Sequence, residues 1–220
     1  VVAFTMRHDD VAVLLIRRKK DPFRGLWALP GGFVNENEAL ERAAARELHE
    51  ETGLSGVRLE QLGAFGEPGR DPRGHTVTIA WITYLVAEVS AVAGDDAEEA
   101  AFHPLRSLGI EKVPAPGELP SRARKGSPVV RLAFDHDKII TAAYRRLCRT
   151  LDDPRRDVGF DLMPPRFTLA EIRRTYEVVF DRPFTAQKIR KQLIDRGLIV
   201  AATHKPATKP SAQLYRWNRH

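Results

Sequence analysis

The sequence predicts a mixed α/β sandwich followed by a small C-terminal winged helix-turn-helix, and three observations carry that prediction. Apolar, β-branched runs interleave with helical patterns over roughly the first two thirds of the chain. The last quarter reads helix, turn, helix, hairpin. Between the two the charge changes. Residues 1–150 hold 21 Lys+Arg against 21 Asp+Glu, residues 151–220 hold 14 against 8, and the whole net charge of +6 lies in the last third.

The elements follow in order. Val1-Val2-Ala3-Phe4 reads as the inside of a first strand, with a short leader before it. Val11 to Ile16 is an unbroken apolar run of strand length. Trp27 to Gly32 is a short segment ending in a glycine turn. Glu38 to Thr52 is Ala-rich and helical, and Gly53 suits the left-handed residue that closes a helix. Thr76 to Val89 is rich in β-branched and aromatic residues and predicts a long strand. Phe102 to Leu105 predicts the last sheet element, and Asp135 caps a helix from His136 to about Leu151.

Lys112 to Pro128 and Asp152 to Arg166 read as loops. Pattern and charge both change across the second, which makes it the better boundary. The division expected is residues 1–151, a linker over 152–166, and a second domain over 167–220. In that domain Thr168-Leu169-Ala170-Glu171 is a capping box. Leu169, Ile172, Tyr176 and Val179 repeat at helical spacing, and Asp181 to Phe184 breaks the helix. Thr185 caps a second helix reaching about Arg196, with Ile189 and Leu193 facing inward. Gly197 ends it. Leu198-Ile199-Val200 and Gln213 to Trp217 bracket a Lys/Pro-rich tip, and Tyr215 and Trp217 read as core of this wing.

Composition excludes some classes. No apolar run approaches the ~20 residues of a membrane span, so no membrane partner is expected. A single cysteine, Cys148, forbids an intramolecular disulfide and points to a reducing, cytoplasmic setting.

The chemistry is concentrated between Gly32 and Leu54. Gly32, Glu38, Arg46-Glu47-Leu48, Glu50-Glu51 and Gly53-Leu54 fall at fixed offsets. At ordinary residue usage the polar and glycine positions of this set alone coincide by chance roughly once in 10⁹ windows. Glu47, Glu50 and Glu51 lie at i, i+3 and i+4, so a helix gathers their carboxylates on one arc. Three close carboxylates repel, and a hard divalent cation, Mg²⁺ or Mn²⁺, relieves that repulsion. Such an ion neutralises a diphosphate and activates water. Arg46, four residues before Glu50, can hold that carboxylate, while Gly31 and Gly32 let the backbone approach a ligand closely. Arg70-Asp71-Pro72-Arg73-Gly74-His75 places two arginines on one tight loop, where Arg70 and Arg73 can grip a diphosphate. Glu67, Glu98, Glu99 and Glu118 are candidates for a further acid from a loop.

The tail suggests a polyanion partner. If its second helix enters a major groove, Thr185, Gln187, Lys188 and Lys191 meet bases or phosphates, with Arg190 and Arg196 flanking. His204, Lys205 and Lys209 on the wing track the backbone. A basic dimerisation or lid module is the alternative.

The segment from Gly32 to Leu54 matches every fixed position of the Nudix box, which implies an α/β/α sandwich of the Nudix type. That resemblance makes Glu50 and Glu51 metal ligands and Glu47 a ligand or base, with Glu38 orienting the helix through Arg46. The R-D-P-R-G loop, with the run from Asp21 to Gly32, looks like the Nudix branch that handles ADP-ribose. The chain as a whole resembles the Nudix-related transcriptional regulators of NAD metabolism, the NrtR family. The residues carrying this include Leu132-Ala133-Phe134-Asp135-His136, Phe167-Thr168-Leu169 and Leu214-Tyr215-Arg216. It implies a homodimeric repressor that binds a double-stranded DNA operator of NAD synthesis or salvage genes and responds to ADP-ribose or a related metabolite. Many members have a degraded box and no longer hydrolyse the ligand. Here the box is complete, so a second reading stands: a metal-dependent ADP-ribose pyrophosphatase releasing AMP and ribose 5-phosphate.

Overall fold

The computed structural model describes residues 1–7, 9–86, 97–111, 129–152, 162–202 and 212–218. Its centre is a sheet in the order β3-β2-β1-β5-β4, with β6 on β2. The strands are β1 (Val2–Arg7), β2 (Asp10–Arg18), β3 (Trp27–Ala28), β4 (Glu60–Phe65), β5 (Thr78–Leu85) and β6 (Ala97–Pro104). β1 runs parallel to β5, and the other pairings are antiparallel. Val13 pairs with Phe4 and His103, and Ile16 with Ala28 and Ala100. β6 therefore takes one edge of β2, while β1 and β3 share the other.

The alternation of strand side chains builds a core on each face. Phe4, Val13 and Leu15 join the face covered by helix α2 (His136–Asp152), whose Ile139, Ile140, Ala143, Tyr144, Leu147 and Leu151 are buried at helical spacing. Ala3 and Leu14 face the other way, onto Leu48 and Leu54 at helix α1 (Leu40–Thr52). The sandwich is thus sheet between two helices. Gly53 closes α1 at φ 72°, as its sequence position implied.

Several elements differ from expectation: β6 begins at Ala97 rather than Phe102, and Leu105 lies beyond its end. α1 begins at Leu40 rather than Glu38, because the Glu38 carboxylate accepts from the Asn35 amide at 3.0 Å and Ala39 is still extended. β5 begins at Thr78 because the preceding residues form the arginine loop; Ala87 to Val89 lie outside the described residues. Asp135 stands before α2, but its carboxylate takes both Nε and Nη2 of Arg70.

The tail is a winged helix. β7 (Phe167–Thr168), β9 (Leu214–Trp217) and β8 (Ile199–Ala201) form an antiparallel sheet in that order. Helix α3 (Leu169–Phe180) opens on the capping box. Glu171 N–H donates to Thr168 Oγ1 at 3.2 Å, and Thr168 N–H donates to Glu171 Oε2 at 2.6 Å. It ends at Asp181, φ 51°. The expected second helix is α4 (Ala186–Ile189), and Arg190–Ile194 then continue it as a wider π-helical turn. Ile189, Leu193 and Trp217 are buried.

One apolar cluster runs from Val2 and Phe4 through α2 to Ile172, Tyr176 and Val179 of α3. Polar contacts reinforce this join. The Tyr144 hydroxyl donates to the Val179 carbonyl, and the Tyr176 hydroxyl donates to the Leu151 carbonyl at 2.8 Å. Arg174 of α3 pairs with Asp9 in the turn between β1 and β2. Among the described residues no helix is long and apolar enough to cross a membrane.

Candidate functional site

Arg46 organises the box. Its Nε and Nη2 grip Glu38 at 2.8 and 2.9 Å, and its Nη1 reaches Glu47 at 2.6 Å and Glu50 at 3.0 Å. Nη2 also donates to the Phe33 carbonyl at 3.1 Å. The hydrogen bonds from Arg46 hold the Glu38 carboxyl down at about 2, and the carboxylates raise Arg46 in return. Glu51, nearly buried, accepts the Gly31 N–H at 2.8 Å. The Glu47 carboxylate lies so close to Gly32 that a Cβ there would sit 2.5 Å from it.

The donor chemistry suits a hard cation, since Glu47, Glu50 and Glu51 offer carboxylate oxygens from one helix. Each carboxylate is engaged in the protein, however, and among the described residues no three acidic or metal-binding side chains converge on one point.

Gly31, Gly32 and Glu47 line a cavity of about 480 Å³, the size of a small-ligand pocket. Arg70 and Arg73 also line it but occupy unlike positions. The Arg70 side chain is buried, bound to both Asp135 oxygens and donating to Thr78 Oγ1 at 2.6 Å. It pins the loop to the start of α2. Arg73 is 46% exposed, pairs with Asp71 at 2.7 Å, and lies over the rings of Phe33 and Phe134. Hydrogen bonds from Arg73 hold the Asp71 carboxyl at about 2.

The lining residues that the sequence did not single out for the site include Arg18, Phe33, Phe134 and His136. Arg18 sits 4.9 Å over Phe134, which adopts the left-handed region at φ 54°. A bulky residue there marks local strain of the sort found at sites. His136 Nδ1 accepts the Leu29 N–H at 2.9 Å, and burial pushes its pKa down to about 3. They come from three separate segments, β2, the glycine turn and the residues at the start of α2, and only packing brings them to one cavity. Glu67, Glu98 and Glu99 are exposed and do not line the cavity; Glu118 lies outside the described residues.

On the winged helix, Thr185, Gln187, Lys188, Arg190, Lys191 and Arg196 are all exposed. The Thr185 hydroxyl accepts from the Lys188 N–H as the cap of α4, and the Lys188 ammonium lies over Phe184. His204, Lys205 and Lys209 lie outside the described residues.

Known proteins share both halves. Residues 1–126 match the NUDIX domain and residues 159–217 the NrtR DNA-binding winged helix domain. The ADPR responsive transcriptional repressor NtrR of Acinetobacter baylyi is 30% identical over 97% of this chain and 78% of its own. The ADP-ribose pyrophosphatase of Methanocaldococcus jannaschii is 42% identical over 60% of this chain, and the match spans 64% of that enzyme. Among solved structures, Shewanella oneidensis NrtR complexed with a 27mer DNA superposes with a TM-score of 0.74 at 26% identity, covering 99% of this chain and 91% of that one. The NUDIX domain of the same protein complexed with ADP ribose gives 0.55 at 31% identity, covering 66% and 84%. A Nudix sandwich with its glutamate box, a cavity beside that box, and a winged helix of the NrtR type make this chain a member of the NrtR family.

Proposed function

We propose that this chain is a DNA-binding transcriptional repressor of NAD biosynthesis or salvage genes, and that ADP-ribose or a related NAD metabolite in the Nudix cavity modulates its hold on DNA. One observation carries the reading: the cavity and a winged helix with an exposed basic face share one continuous core. A ligand in the cavity can therefore bias the placement of α4. The effect requires different ligand affinity in the DNA-bound and free forms, since equal affinity shifts nothing. The protein acts as a cytoplasmic homodimer, which sets two α4 helices against two half-sites of one operator.

On DNA, Gln187, Lys188, Arg190, Lys191 and Arg196 meet bases and phosphates, with Lys205 and Lys209 on the wing. Thr185 fixes the start of α4. In the cavity, Arg73 offers its guanidinium to a diphosphate, and Gly31 and Gly32 allow close backbone approach. Arg70 acts on the ligand through the loop it anchors. Nudix hydrolases use divalent metal ions; here Glu47, Glu50 and Glu51 would hold Mg²⁺ or Mn²⁺, with Arg46 and Glu38 setting their positions. When bound, the ion supplies charge neutralisation to the diphosphate and acidifies a water.

The test is a mobility-shift titration of the full chain against duplexes from promoters of NAD synthesis and salvage genes, with and without ADP-ribose. Specific shifts that ADP-ribose alters are expected. A folded protein that shifts no such duplex at moderate salt refutes the regulatory reading.

The ordered glutamate box favours a second, compatible reading as an ADP-ribose pyrophosphatase, supported by the likeness to the archaeal enzyme. It predicts AMP release that requires Mg²⁺ or Mn²⁺ and disappears in Glu50→Gln. No turnover at micromolar enzyme removes it.

A further inference from the structure

We propose that His136 is a ligand-contacting residue of the Nudix cavity, donating a hydrogen bond from Nε2–H to an oxygen of a bound nucleoside-diphosphate sugar, and that this contact acts directly on the helix carrying the DNA-binding domain. The inference rests on the ADP-ribose reading above.

The tautomer comes from the structure. His136 lines the cavity, and its Nδ1 accepts the backbone N–H of Leu29 at 2.9 Å. A ring nitrogen that accepts an N–H carries no proton of its own, so the neutral imidazole bears its hydrogen on Nε2. Burial keeps the ring neutral. Among the described residues no protein atom accepts from Nε2. A polar donor in a cavity wall calls for an acceptor from water or ligand.

The surroundings select the acceptor. The Phe134 ring lies 5.3 Å from the imidazole, and the guanidiniums of Arg18 and Arg73 lie 4.9 and 5.5 Å over Phe134. Arg18 and Arg73 bring donors and positive charge to this part of the cavity, which Glu47 and the Arg73-paired Asp71 also line. Oxygens of a diphosphate or its ribose complement it; a cation does not.

The position of His136 in the chain gives the contact its consequence. It is the first residue of α2. The preceding residue, Asp135, is clamped by Arg70 of the cavity rim. Further along the same helix, the Tyr144 hydroxyl and the Leu151 carbonyl bond to α3 of the winged helix. A helix of 17 residues spans about 25 Å, so one rigid element meets the ligand at one end and the DNA-binding domain along its length.

Two substitutions separate the donor from the fold. His136→Asn keeps an acceptor near Nδ1 for Leu29 but has no group at Nε2. His136→Gln reaches the Nε2 position with an amide N–H. ADP-ribose affinity of the full chain is measured by calorimetry, and DNA affinity by anisotropy on a promoter duplex. His136→Asn should weaken ADP-ribose by about tenfold and raise the ADP-ribose needed to alter DNA binding by a similar factor. Affinity for DNA without ligand should stay within about twofold. His136→Gln should recover part of the loss. If wild type binds ADP-ribose and a folded His136→Asn protein binds it equally well, the assignment is wrong while the ADP-ribose reading stands. If wild type binds no ADP-ribose, both fall. Should His136→Asn not fold, imidazole ¹⁵N resonances of wild type decide: ADP-ribose must move the Nε2 signal, and an unmoved signal overturns the assignment.

Discussion

At the scale of single residues the site depends on close approach and on protonation. Gly32 leaves room for the Glu47 carboxylate, which a Cβ would meet at 2.5 Å. The obstacle is the end of a flexible side chain, so Gly32→Ala should shift stability by less than about 1 kcal/mol. It should nevertheless push Glu47 off Arg46 and lower Mn²⁺ affinity by about tenfold, read by calorimetry; unchanged affinity would show that Glu47 is no ligand. His136 predicts a pH effect. Its folded pKa, about 3, lies below the ordinary value of 6.5. The unfolded chain therefore binds the proton first, and stability present above pH 6.5 is lost as pH falls toward about 3. Melting curves between pH 7.5 and 5 should fall more steeply for wild type than for His136→Asn. Parallel slopes would contradict a buried neutral ring.

At the scale of elements, the arginine loop is fixed by one buried ion pair. The Arg70 side chain is 5% exposed and the Asp135 side chain 9%, with a bidentate contact and a third bond to Thr78. Removing one partner strands a buried charge. Arg70→Ala should cost about 3–5 kcal/mol in denaturant unfolding, whereas truncating the half-exposed Arg73 should cost less than about 1 kcal/mol. Equal losses would mean that the two arginines play the same part. The divided second helix of the tail has a local cause at its start, where the Thr185 hydroxyl caps α4. Among the described residues no side-chain contact accounts for the wider turn from Arg190 to Ile194.

At the scale of the whole molecule, α2 belongs to both halves. It covers one face of the Nudix sheet and packs on α3 through Tyr144 and Leu151. Tyr144→Phe keeps the apolar contact and deletes the hydroxyl bond to Val179. The expected cost is about 1 kcal/mol of stability. DNA binding should persist, with a smaller response to ADP-ribose. A full response in a folded Tyr144→Phe protein would place the coupling elsewhere, for example at the Arg174–Asp9 pair.

Much was legible because it is written in local spacing. The strand at Val11 to Ile16, the capping box at Thr168 and Glu171, the left-handed Gly53 and the i, i+3, i+4 glutamates each depend on residues within one element. Those rules operate before any tertiary contact forms. The spacing also anticipated Arg46 reaching Glu50, and the complete box pointed to the Nudix sandwich. Tertiary structure decided what distant segments share. It gave Asp135 to Arg70 across 65 residues and Leu29 to His136 across 107. It also built one cavity from the glycine turn, the arginine loop and the first turn of α2. It joined the two predicted domains in one apolar cluster, in which Tyr144 and Tyr176 are fully buried. The sequence alone determined which chemical groups this protein carries and in which elements; packing determined which of them face a ligand and which hold the wall in place, since a side chain's partners follow from the burial of whole elements rather than from its neighbours in the chain.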